Sequence, residues 1–142
     1  MRIAWAIPCR YVEVNDGLAT IVGGGANIYV LPPDALPAPL SVTIAAQIAG
    51  ADDEADHPHH LRGQVLGPDM TPVGDPLDLP DLQIPPGLHK PPGWETTIVI
   101  SIVLHWEVAE LGTHTIQLMI DDRSTTVAIL VAEEGPPDAD GD

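Results

Sequence analysis

The chain has 142 residues, enough for one domain with its own core and too few for a second independent one. Its 21 acidic residues face only five basic ones, and a net charge of −16 removes the electrostatic attraction that nucleic-acid and anionic-membrane binding depend on. The single cysteine, Cys9, excludes an intramolecular disulfide framework, and no apolar run is long enough to span a bilayer, so the default expectation is a cytoplasmic protein needing no cofactor.

Sixteen prolines decide the fold class, because a helix interior tolerates each at a cost of about 3 kcal/mol. The stretches free of them read with a period of two. Ile3, Trp5 and Ile7 alternate with Ala4 and Ala6. Tyr11 to Val14 and Leu18 to Val22 flank Asn15-Asp16-Gly17, a hairpin signal. Asn27 to Leu31 forms a further strand that ends at Pro32-Pro33. In 41–49, Val42, Ile44, Ala46 and Ile48 fit a strand, although the alanines and the Ile44/Ile48 spacing also suit a helix; the strand is favoured because its neighbours are strands.

Leu61 to Leu66 reads as a strand ending at Gly67-Pro68-Asp69. The proline-dense stretch 68–93 is expected to run as loops with one weak edge strand near Leu77 to Leu82. Over 96–108, Ile98, Ile100, Ile102, Leu104, Trp106 and Val108 form one apolar face, with Thr97, Ser101, His105 and Glu107 on the other. His114, Ile116, Leu118 and Ile120 alternate next, the turn Asp121-Asp122-Arg123-Ser124 follows, and Val127, Ile129 and Val131 close the hairpin. Trp106, Ile102, Ile100, Leu118, Ile116, Ile129 and Trp5 are the expected core. The reading is an antiparallel β-sandwich of about eight strands over 1–132, immunoglobulin-like, with a disordered acidic tail over 133–142.

Three local patterns carry a resemblance: Ile3-Ala4-Trp5-Ala6-Ile7 through Tyr11-Val12-Glu13-Val14-Asn15-Asp16-Gly17, then Leu18-Ala19-Thr20-Ile21-Val22-Gly23-Gly24-Gly25, and the closing Gly112-Thr113-His114-Thr115-Ile116-Gln117-Leu118-Met119-Ile120-Asp121. Together they resemble an uncharacterised bacterial β-sandwich family of unknown function. The resemblance implies a fold and no active site. It also implies an aromatic, often Tyr, where this chain has His114.

The densest cluster of chemically able side chains is Asp52-Asp53-Glu54-Ala55-Asp56-His57-Pro58-His59-His60, which holds the ligand types of zinc, nickel or copper sites. Its candidate ligands are Asp56, His57, His59 and His60, though such close spacing calls for a tight wrap or a distant fourth ligand. Gly23-Gly24-Gly25 lacks the Lys-Ser/Thr and the helix of a phosphate loop and reads as a strand bend. Ser101 and His105 stand roughly 13 Å apart along one strand and cannot share a proton. With no catalytic constellation, the expectation is a non-enzymatic interaction or structural module that meets a protein partner or forms a weak homodimer. Val99 and Val103 place apolar surface on the polar face of the 96–108 strand, so they and His105 are the candidate interface. The alternative is a metal- or small-ligand-binding sandwich that uses the 52–60 loop.

Overall fold

The computed structural model describes residues 1–85 and 90–136. Among these residues, ten strands and one single-turn helix account for the regular structure: β1 (Arg2–Cys9), β2 (Tyr11–Asn15), β3 (Leu18–Val22), β4 (Ile28–Leu31), β5 (Ala38–Gly50), α1 (Asp52–Ala55), β6 (His59–Leu66), β7 (Pro72–Leu82), β8 (Thr96–Val108), β9 (Gly112–Ile120) and β10 (Arg123–Glu133). The chain is all-β. A three-stranded sheet in the order β1-β5-β8 packs against a five-stranded sheet in the order β4-β10-β9-β6-β7, and β2-β3 forms a separate hairpin.

One core lies between the two sheets. The inward positions of β5 (Val42, Ile44, Ala46, Ile48) and of β8 (Ile102, Leu104, Trp106, Val108) meet those of β6, β9 and β10 (Leu61, Ile116, Leu118, Ile120, Ile129). The ambiguous 41–49 segment is therefore a strand, central in its sheet and paired along its length with β8. Val42, Ile44, Ala46 and Ile48 are its core-facing set.

Several expectations need correction. The sheets are not wholly antiparallel, because β4 runs parallel to β10, with Ile28 opposite Leu130. The proline-dense stretch holds an eleven-residue strand, β7, where a short one was expected. Pro72, Pro76 and Pro80 are tolerated because β7 is an edge strand with a single ladder partner, β6. Trp5 is half-buried outside the core, because a bulge between Ile3 and Trp5 shifts the phase of β1. Ile3 sits opposite the core residue Ile48, whereas Trp5 sits opposite Gln47 on the outer side, and one inserted residue reverses every later side chain. Ile100 is only partly buried. At the C-terminus β10 continues to Glu133, inside the segment read as tail, and 137–142 lie outside the described residues, as do 86–89 of the Pro-rich segment.

The β2-β3 hairpin turns at Asp16-Gly17, with φ of 52° and 76°. Two consecutive left-handed residues define the tight turn whose twist matches paired strands, which is why Asp-Gly stands there. The hairpin folds back over the outer face of the three-stranded sheet. Ala45 and Cys9 point to that outer side yet are 0% and 1% exposed, and β2 lies against both β5 and β8.

Candidate functional site

The 52–60 segment is not one solvated loop. Its first part is the single turn α1, where Glu54 Oε2 accepts a hydrogen bond of 2.8 Å from the Ala51 amide. Its last two residues begin β6, so His59 and His60 project to opposite faces of the sheet. His59 faces inward and is buried. Its Nδ1 lies 2.6 Å from Asp121 Oδ2 and its Nε2 lies 2.5 Å from the Glu54 carbonyl oxygen. Both ring nitrogens are thus taken up by oxygens of the protein itself, and neither is left to ligate a metal.

His60 faces outward and pairs with Asp78 of β7. His57 and Asp56 are exposed, and the His57 ring lies against that of His59, tilted by 40° at 4.8 Å between centroids. The four candidate ligands therefore do not converge. Among the described residues no group of three or more His, Cys, Asp or Glu side chains could hold a metal ion.

Asp121 sits in the two-residue turn between β9 and β10, with φ of 52°. From there its carboxylate accepts from the His59 ring and, at 3.1 Å, from the His60 amide. Partial burial pushes this carboxyl up, but the hydrogen bonds from His59 and His60 outweigh burial and hold it below its ordinary 3.8. The cluster is a clamp that ties the β9-β10 turn to α1 and the start of β6. Nearby, Lys90 and Thr96 bond Asp52 and hold its carboxyl below the usual range.

A groove of about 520 Å³ opens on the outer face of the five-stranded sheet, lined by His60, Arg62, Gln64, Asp78, Gln117 and Met119 among others. Of its charged groups, His60 pairs with Asp78, and Arg62 donates from Nη2 to the Asp121 carbonyl at 3.2 Å while its buried Nε has no partner among the described residues.

On the opposite sheet, β8 carries the candidate interface. Val103 is 45% exposed, His105 is exposed and Val99 is half-buried. His105 Nδ1 shares a hydrogen bond of 2.5 Å with Ser41 Oγ, its cross-strand partner on β5. Such a Ser–His contact is the first half of a nucleophile–base pair. Among the described residues no acceptor orients the second ring nitrogen, and the pair lies on an exposed sheet face with no oxyanion donors aimed at it.

No family model, curated protein or solved structure matches this chain. Among the described residues no helix is long and apolar enough to cross a membrane.

The four sheet edges differ in how they are protected. β1 carries a bulge and Pro8. β4 has four residues and runs into Pro32-Pro33. β7 carries three prolines, three aspartates and a left-handed Gly74 at φ 69°. These are the devices that stop an edge from pairing with another chain. β8 has none of them: from Thr96 to Leu104 it contains no proline, glycine or charged residue.

Its far end is nonetheless closed. Gly74 of β7 passes so near β8 that an added Cβ would stand 3.1 Å from Trp106 Cβ and 3.4 Å from the His105 carbonyl oxygen. Burial follows this closure. From Ser101 to Val108 exposed and buried residues alternate strictly, whereas Ile98, Val99 and Ile100 are all half-buried. On the core side Ile98 and Ile100 are thus only half-buried, and among the described residues no strand pairs with β8 on its free edge. Trp94, two residues before β8, is 69% exposed beside it.

Proposed function

We propose that the chain is a non-enzymatic interaction module, immunoglobulin-like in its strand arrangement, that contacts a protein partner through the first half of β8. Its strand order supports the first part. Setting aside β4 and the inserted hairpin, the first, second and fifth strands form one sheet, and the third, fourth, sixth and seventh form the other, as in immunoglobulin-like sandwiches. The observation that carries the second part is the β8 edge, which among the described residues has no paired strand and no proline, glycine or charge from Thr96 to Leu104, with Val99 and Val103 on its outer face. An extended segment added there gains main-chain hydrogen bonds for affinity and side-chain contacts for specificity. The exposed Trp94 is the type of residue that anchors such contacts.

The test is affinity capture from the native host with the wild type and with the double variant Val99→Lys/Val103→Lys. The wild type should retain a partner that the double variant loses, while circular dichroism of the two coincides. The single variant Val103→Lys, at the more exposed position, should weaken retention even if the double variant is unstable. Equal retention by all three proteins would refute the reading.

A further inference from the structure

We infer that the strand that pairs with the β8 edge is β8 of a second copy of this chain, running antiparallel about a two-fold axis at Ile100. This rests on the reading of β8 as the contact edge and names its partner. Within Thr97-Ile98-Val99-Ile100-Ser101-Ile102-Val103 the isoleucines at 98, 100 and 102 are placed symmetrically about Ile100, and the β-branched Thr97 and Val103 stand at mirror positions. An isologous contact about a two-fold axis requires such self-complementarity, because each residue meets its mirror position on the other copy.

The register follows from the structure. Gly74 closes the edge at His105 and Trp106, so pairing must end before them, and the open stretch from Thr97 to Val103 is centred on Ile100. In that register Ile98 faces Ile102 of the second copy on the core side, and Ile100 faces its own counterpart. On the outer side Val99 faces Ser101 and Thr97 faces Val103. β-Branched residues oppose one another in most of these pairs, and no charges meet. The half-buried Ile98 and Ile100 would gain the neighbour that the second half of β8 already has in β7.

The charge of −16 does not sit on this segment, so repulsion between copies acts at longer range and is screened within about 8 Å at physiological ionic strength. Seven paired residues span only about 23 Å of strand, so the dimer is weak and tightens with salt.

Cysteine cross-linking reads the register directly. Val99→Cys and Ser101→Cys are prepared separately in a Cys9→Ser background, mixed at high protein concentration in high salt, and oxidised. The mixture should give a disulfide-linked species of twice the 15.0 kDa chain mass, joining one variant of each kind, while either variant alone links at least tenfold less. Sedimentation of the wild type in the same buffer should show the same mass doubling. A monomer throughout, or equal linking by each variant alone, overturns the two-fold pairing. If capture from the host still depends on Val99 and Val103, that result overturns self-pairing while leaving the interaction module standing.

Discussion

Ile102→Ala should destabilise the fold by about 2–5 kcal/mol, the range for truncating a buried aliphatic side chain. Ile102 is 3% exposed and faces Ile44 across the β5-β8 ladder, the longest pairing in the molecule. β5 is held there between two neighbours and β8 is paired with it residue by residue, so the cavity has little chance to collapse. Urea denaturation checks this as a shift of the midpoint at unchanged slope. A change below about 0.5 kcal/mol would mean the side chain is outside the core, since surface substitutions fall in that range.

His59→Ala should cost about 2–3 kcal/mol, in line with the loss of hydrogen bonds that include a charged partner. The ring is buried, and it links Asp121 in the β9-β10 turn to the Glu54 carbonyl of α1, two points that no strand ladder connects. The substitution should also change the acid response. Asp121 is held below its ordinary 3.8, so its contribution is complete above that value and is lost as pH falls through its lower folded pKa. Without the His59 hydrogen bond the folded pKa rises towards the unfolded one. The stability difference between wild type and variant should therefore narrow as pH drops below about 4. Denaturation midpoints at pH 7 and pH 3 measure this, and an unchanged difference would place the role of His59 in packing alone.

Much of the fold was legible in the sequence because alternation and turn chemistry are local. Asp16-Gly17 announced its turn, and the β8 and β9 alternations named their buried faces correctly from Ile102 and His114 onward. What failed was decided at a distance. The phase of β1 turns on one bulge residue, so Trp5 faced the wrong way. β7 was underestimated because proline excludes a central strand but not an edge, and edge position depends on the topology.

The site was less legible. The His-rich run was visible, but His59 is defined by Asp121, 62 residues away. His105 likewise meets Ser41 only through the β5-β8 register, and nothing in the Ser41 neighbourhood signals it. Val99 and Val103 stand out in the sequence because two valines break a polar face. That β2 lies against β5 and β8 could not be read, since a hairpin's own sequence does not say where it docks.

The central claim is that the first half of β8 is an edge awaiting a strand, and amide hydrogen exchange tests it most directly. Peptides covering 97–103 are followed at dilute and at high protein concentration in high salt, with β5 and β9 as internal references. The amides of 97–103 that do not bond β5 should exchange fast when dilute and slow on association, while the reference strands stay unchanged. Exchange over 97–103 that is already as slow as in β5 at high dilution, and does not respond to concentration, would contradict the account.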